Sequence, residues 1–184
     1  CGIHAQTTCD PDSVQATVTD DTVCIGEPIV FSVALNPLFF QGIDSVRWSL
    51  GNGDSSGSLA FSYTYPAIGI YNVAVDIFLS GGDSCNQTFP VVINDVPQVD
   101  ISFDTLVGCL PFVPTIINNT TAGPPGTPPS YTWTITGGSQ GVEWNFIGGT
   151  DSTDAAPQIR FDSTGIYNLD VQIANECDTI NQCY

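Results

Sequence analysis

Lysine is absent from this chain, arginine occurs only as Arg47 and Arg160, and 19 acidic residues leave a formal net charge of −17. A surface so acidic repels a phosphate backbone, which excludes nucleic acid as a partner. Methionine is absent too, so one oxidisable side chain is missing, and trypsin finds almost no sites. This composition fits a durable exterior protein, and it fits equally well the bias of a marine or salt-adapted source. No segment approaches the ~18 consecutive apolar residues of a membrane span, so membrane insertion is not expected. No signal peptide is present, which suggests a mature chain or a cut-out of a longer one. Amphipathic helices of about ten residues or more cannot be drawn, and the metal-type C-x2-C spacing does not occur.

What is there is a repeat. An aromatic-centred segment leads twice to the same closing pattern, first Tyr65, Gly69, Ile70, Tyr71, Asn72, Val73 and Val75, then Phe161, Gly165, Ile166, Tyr167, Asn168, Leu169 and Val171. A tryptophan strand lies upstream of each, around Trp48 and Trp133. Apolar residues alternate at Val14, Ala16 and Val18, at Ile29, Phe31, Val33 and Leu35, and at Val73, Val75, Ile77 and Leu79, the period of half-buried strands. Gly51-Asn52-Gly53-Asp54, Gly81-Gly82-Asp83, Gly137-Gly138 and Gly148-Gly149 supply turns between them. The fold class is therefore all-β, two tandem immunoglobulin-like β-sandwiches.

The 184 residues suit two small domains. We place an N-terminal tail at 1–11, a first domain at 12–97 and a second at 98–184, with the boundary near Val96-Pro97-Gln98 and a join too short for free tumbling. The insert Ala122 to Ser130, with four prolines, reads as a stiff exposed loop. An added hairpin is expected around Val142 to Phe146. Trp48, Trp133, Tyr71 and Tyr167 are expected to be buried.

Seven widely scattered cysteines indicate an oxidising, extracellular or cell-surface setting. Two bracket each repeat, which predicts bridges Cys24–Cys85 and Cys109–Cys177, each worth on the order of 2–4 kcal/mol to a domain this small. Cys1, Cys9 and Cys183 are left over, and an odd remainder suggests pairing between chains. Cys1 has a second reading as a lipid-modified first residue. The tail Gly2 to Thr8 is expected to add as a strand to the second domain of a neighbouring copy, a head-to-tail contact that propagates into a filament, or else to be a severed end of a longer array.

The run Trp48-Ser49-Leu50-Gly51-Asn52-Gly53-Asp54, followed by Tyr63-Thr64-Tyr65-Pro66 and Gly69-Ile70-Tyr71-Asn72-Val73, resembles the polycystic-kidney-disease (PKD) domain, an immunoglobulin-like β-sandwich. Ser49 and Asn52 stand where that family usually carries aspartate. The second repeat resembles a divergent member. The Cys-Ile-Gly-Glu opening at Cys24 and the closing Cys85 are similar to PKD repeats of giant adhesins and gliding-motility surface proteins of Bacteroidota, which implies secretion through the envelope and display as long filaments. Asp followed by Ser or Thr recurs and is similar to the O-glycosylation acceptor pattern of that phylum, which implies Ser13, Thr22, Ser45, Thr105, Ser152, Ser163 and Thr179 as acceptors. The alternative is that Asp-Ser and Asp-Thr pairs simply form turns at strand starts. The N-glycosylation sequons at Asn86, Asn118 and Asn119 would matter only in a eukaryotic secretory pathway.

Catalytic chemistry is not expected. The only histidine, His4, lies in the tail, so no serine or cysteine has a base beside it. Glu27, Glu143 and Glu176 sit in separate segments, without the cleft a glycosidase needs. No cofactor is expected. Calcium is the one metal candidate, because Asp20, Asp21, Asn52, Asp54, Asp83, Asp151 and Asp154 lie in loops, yet none forms a D-x-D-x-D-G ladder. Phe39, Phe40 and Trp144 have two readings, a sugar-stacking or subunit-contact patch and core packing. The expected function is a structural and adhesive module of a bacterial surface stalk or filament, with other copies of itself as partners. The rival is an accessory module of a secreted hydrolase, binding surface glycans.

Overall fold

β-Branched and aromatic residues at every second position favour an extended strand with one face buried. The computed structural model, which describes residues 14–36 and 42–184 and the backbone of Thr7–Thr8, is accordingly all-β, with no helix among the described residues. The chain divides into two compact units between Asn94 and Asp95.

The strands of unit 1 are β1 (Thr7–Thr8), β2 (Val14–Val18), β3 (Thr22–Cys24), β4 (Ile29–Leu35), β5 (Ile43–Ser49), β6 (Ser55–Ser56), β7 (Ala60–Tyr63), β8 (Gly69–Leu79) and β9 (Ser84–Asn94). One sheet runs β1-β9-β8-β5-β6, with β3 also paired to β9, and the other runs β2-β4-β7. Their inner faces carry the alternating residues read from the sequence: Ile29, Phe31 and Val33 of β4 and Val73, Val75, Ile77 and Leu79 of β8 are all buried. Trp48 of β5 is at 0% exposure and meets Phe31 and Phe61 at ring-centroid distances of 5.5 and 5.7 Å. Its indole N–H donates to the Ser58 carbonyl at 3.1 Å, which removes the cost of burying a polar handle.

The strands of unit 2 are β10 (Ile101–Phe103), β11 (Ile116–Asn118), β12 (Ser130–Thr136), β13 (Trp144–Ile147), β14 (Gln158–Phe161), β15 (Asn168–Ala174) and β16 (Thr179–Cys183). β12-β15-β16 form one sheet, and β10-β11 and β13-β14 form two-stranded pieces. Trp133 repeats the role of Trp48, buried with its indole N–H on the Asp154 carbonyl at 3.0 Å. Trp144 is buried as well, which settles its two readings in favour of core packing.

The repeated Gly-x-Tyr has one physical reason in both units. Tyr71 turns its hydroxyl back to the Ala67 carbonyl at 2.9 Å, and Tyr167 does the same to the Ser163 carbonyl at 3.0 Å, the tyrosine corner of immunoglobulin-type sandwiches. The returning ring lies over Gly69 or Gly165, where an added Cβ would stand 3.3 or 3.5 Å from it. Both tyrosines are half-buried rather than buried as expected, because a corner ring packs one face inward and leaves the other to solvent.

Other expectations need correction. Around Val142 to Phe146, where an added hairpin is expected, Trp144–Ile147 pairs antiparallel with Gln158–Phe161. The proline-rich insert is not simply exposed, since Ala122, Pro124 and Pro129 are buried. Thr7–Thr8 of the tail pair in parallel with β9 of their own unit, Thr7 opposite Cys85, and the rest of the tail expected to dock on another copy lies outside the described residues.

The predicted bridges also fail. Cys109 is a free, exposed thiol while Cys177 is disulfide-bonded, so these two are not joined. Their spacing misled because Cys177 sits in the turn before β16, whereas Cys85 lies within β9 opposite Ile77. Cys24 and Cys85 are each disulfide-bonded but not to one another. Cys24 pairs with Asn94 at the far end of the 11-residue strand that carries Cys85 near its start, about 30 Å away at 3.3 Å per residue, against the 4–7 Å that a bridge spans.

Candidate functional site

Three features were candidates: the acidic turns, the cysteines with the Asp-Ser and Asp-Thr pairs, and any apolar surface. The Gly51-to-Asp54 turn uses up its own polar groups. Asn52 donates to the Tyr63 hydroxyl at 2.8 Å and accepts the Asp54 N–H at 3.0 Å, and Tyr63 donates to the Asp54 carboxylate. That hydrogen bond, ahead of desolvation, raises the Tyr63 phenol above its ordinary value. The second acidic loop closes likewise, with Asp151 accepting from the Thr153 N–H and hydroxyl at 2.7 and 2.6 Å, which holds its carboxyl below the usual range. Among the described residues no group of three metal-ligating side chains converges.

Tyr65, beside the turn, is at 1% exposure and donates to the Leu50 carbonyl at 2.9 Å. Burial pushes its phenol well above the ordinary value near 10. The fold accommodates the neutral form, so this contribution is complete below the unfolded value and is lost as pH rises above about 10, where the unfolded chain ionises first. In urea titrations Tyr65→Phe is expected to be less stable at pH 7 by about 1–3 kcal/mol, because Leu50 loses its donor. The variant should also lose less stability between pH 9 and 11. A parallel decline of both proteins would assign the alkaline loss to other groups.

Of the hydroxyl sites, Ser45, Thr105 and Thr179 are exposed, Thr22, Ser152 and Ser163 are half-buried, and Ser13 lies outside the described residues. Several act as turn elements. Asp104 accepts the Thr105 N–H at 2.7 Å, and Asp178 accepts the Thr179 N–H at 2.7 Å where β16 begins. Asp104 also accepts the Thr115 N–H, and these bonds, Thr115 first, hold its carboxyl below the ordinary value. Cys183 is free and exposed, its thiol raised above the ordinary value mainly by donation to Asp170. Cys1, Cys9, His4, Phe39 and Phe40 lie outside the described residues.

The feature that sequence reasoning missed is a groove of about 570 Å³ in unit 2, walled by Phe103, Leu106, Leu110, Phe112, Phe161 and Tyr167 among others. Leu106, Val107 and Ile166 are 67, 82 and 87% exposed. Unpaired Leu106-Val107 could have flagged it in the sequence, because apolar neighbours in a loop normally find cover.

Residues 13–92 match the PKD domain family. Among curated proteins nothing matches. Among solved structures the chain is similar to murine CEACAM1b, at 12% identity and a TM-score of 0.51 over 93% of this chain and 97% of that one. It is also similar to the amphioxus IgVJ-C2 molecule, at 12% identity and 0.51 over 89% and 97%. The PKD1 domain of the Vibrio cholerae metalloprotease PrtV aligns at 20% identity over 44% of this chain and 94% of that domain, with a TM-score of 0.37. The fold is thus a PKD-like, immunoglobulin-type β-sandwich, an extracellular structural module carrying disulfide-bonded cysteines. No helix is long and apolar enough to cross a membrane among the described residues.

Proposed function

We propose that this chain is a non-catalytic structural and adhesive module of a bacterial cell-surface stalk or filament, of the kind borne by Bacteroidota adhesins and gliding-motility proteins, working through contacts with further copies of itself. The supporting observation is where its polar and apolar groups are spent. The acidic turns close on themselves, while unit 2 leaves a groove of about 570 Å³ apolar and open. Apolar exposed surface is what a subunit contact uses. The glycan-binding rival loses one of its stacking candidates, since Trp144 is buried. O-linked glycans on the exposed Asp-Ser and Asp-Thr sites would coat such a stalk.

Electron microscopy of the purified native protein tests this reading. Ordered fibres or rods with a regular axial repeat are expected. A dispersed monomer at all concentrations that binds polysaccharide on a glycan array would overturn it in favour of the accessory-module reading.

A further inference from the structure

β7 has a neighbour on one side only. It pairs with β4, and among the described residues no strand pairs with its other edge. The Val33 N–H donates to the Leu59 carbonyl at 2.8 Å, so the odd-numbered residues of this segment turn their main-chain groups toward β4. Those of Ala60, Ser62 and Thr64 point the other way, because such groups alternate along an antiparallel strand. Among the described residues no hydrogen bond reaches them.

Unit 2 covers the same edge. Trp133 donates to Asp154 as Trp48 donates to Ser58, and the corner tyrosine follows at the same chain separation, so Gln158 and Arg160 are the equivalents of Ser62 and Thr64. There β13 pairs antiparallel with β14, Ile147 opposite Gln158 and Asn145 opposite Arg160. The Asp162 N–H donates to the Glu143 carbonyl at 2.8 Å, so the even-numbered residues of β14 turn toward β13 as those of β7 turn outward. The longer connection from Thr136 to Asp154 supplies this covering strand, whereas the shorter one from Ser49 to Ser58 supplies only β6, which pairs with β5. β13 covers the edge with Trp144 and Phe146 packed against the core of unit 2 at alternate positions. β7 carries that pattern itself, with Phe61 and Tyr63 packed against the core of unit 1 and Ala60, Ser62 and Thr64 exposed.

Edges of this kind are normally blunted by a charge, a proline or a bulge. β7 has none of them, and no acidic or basic residue occurs from Ser55 to Val75. At a net charge of −17 copies of this chain repel one another over most of their surface, so an uncharged edge is where they approach at least cost.

We infer that unit 1 binds a second copy of this chain through β7, the strands meeting antiparallel about a two-fold axis at Ser62. Ser62 then faces the partner's Ser62, and Ala60 faces the partner's Thr64, each pair exchanging both main-chain hydrogen bonds. Every outward group is satisfied, and the two sheets become one. The neighbouring registers are poorer. Centred on Phe61, the pairing would set Thr64 against Ser58, whose carbonyl already accepts the Trp48 indole N–H and whose N–H donates to the Ser56 hydroxyl at 3.2 Å. Centred on Tyr63, it would set Ala60 against Pro66, which has no N–H. The contact is self-complementary and closed. It rests on the reading that copies of this chain touch one another, and it names where they do.

Disulfide crosslinking of the dissolved chain tests the register. Chains carrying Ser62→Cys are oxidised with diamide, which takes up the two electrons and two protons that leave when two thiols form one disulfide. The link between two copies at position 62, identified by peptic mapping so that links through Cys109 and Cys183 are told apart, is expected to form roughly tenfold faster than the corresponding link in Ala60→Cys or Thr64→Cys chains. An equal mixture of the Ala60→Cys and Thr64→Cys chains should crosslink fast again, each to the other. In sedimentation equilibrium without any added cysteine the native chain is expected to dimerise. Ser62→Asp, an exposed position that sets like charges face to face, should weaken the dimer roughly tenfold or more. A monomer at every concentration, a dimer indifferent to Ser62→Asp, or linkage at position 62 no faster than at 60 would each overturn the inference. Ordered fibres without preference for position 62 would remove this contact and leave the filament reading, whereas preferred linkage in dimers that form no fibres would keep the contact and remove the filament.

Discussion

Replacing Trp48 by alanine is expected to cost about 3–5 kcal/mol, the range for deleting a large aromatic from a packed core. Three rings lose their common partner at once, since Phe31, Phe61 and Phe89 all contact the indole edge to face, and the Ser58 carbonyl loses its donor. Relaxation is limited, because the two sheets are held apart by the remaining residues of β4 and β8 and a cavity persists. Trp133→Ala should behave alike in unit 2, freeing the Asp154 carbonyl. Hydrogen exchange read on peptic fragments checks both, with protection lost in β4, β5 and β8 for the first variant and in β12 and β15 for the second. A Trp48→Ala protein with unchanged exchange would show that this side chain is not what fills the centre of unit 1.

Asn175→Ala is expected to cost about 2–4 kcal/mol, a large loss for one half-buried side chain, because four hydrogen bonds go together at net values of about 0.5–1 kcal/mol each. Its amide donates to the Asp95 and Ala122 carbonyls at 2.7 and 2.9 Å, and its carbonyl oxygen accepts the Cys177 and Asp178 N–H groups at 3.0 and 3.1 Å. One residue thus ties the first segment of unit 2 to the proline-rich insert and shapes the turn into β16. Asn175→Asp keeps the acceptor and loses the donor, so it should fall between the two in urea denaturation followed by circular dichroism. Equal stability of all three proteins would mean that the turn holds without this knot.

Asn175 shows what the sequence could not convey. Nothing in Ala-Asn-Glu-Cys distinguishes an asparagine that bonds to distant carbonyls from one that faces water, because the partners arrive only through tertiary packing. The alternating strands, the burial of both repeat tryptophans and the immunoglobulin-type class were legible, since each follows from local period-two chemistry that the sheet reproduces. Half-buried Tyr71 and Tyr167 were nearly legible, as the glycine two residues earlier is the mark of a ring folded back.

Cysteine pairing was not legible. Two cysteines flanking a repeat are compatible with a bridge, but a disulfide is decided by Cα separation, and the register of β3 on β9 puts Cys24 beside Asn94, at the end of β9 opposite to Cys85. The apolar groove of unit 2 lay likewise beyond sequence reasoning. Leu106, Val107 and Ile166 are visible in the letters, but that they line one groove depends on segments far apart in the chain coming together. By itself the sequence determined the class, the repeat and the exclusion of nucleic acid, because burial of alternate side chains and net charge are properties of composition and local order. The tertiary structure alone decided which thiols stay free and which apolar side chains line one groove, because both depend on distances between residues far apart in the chain.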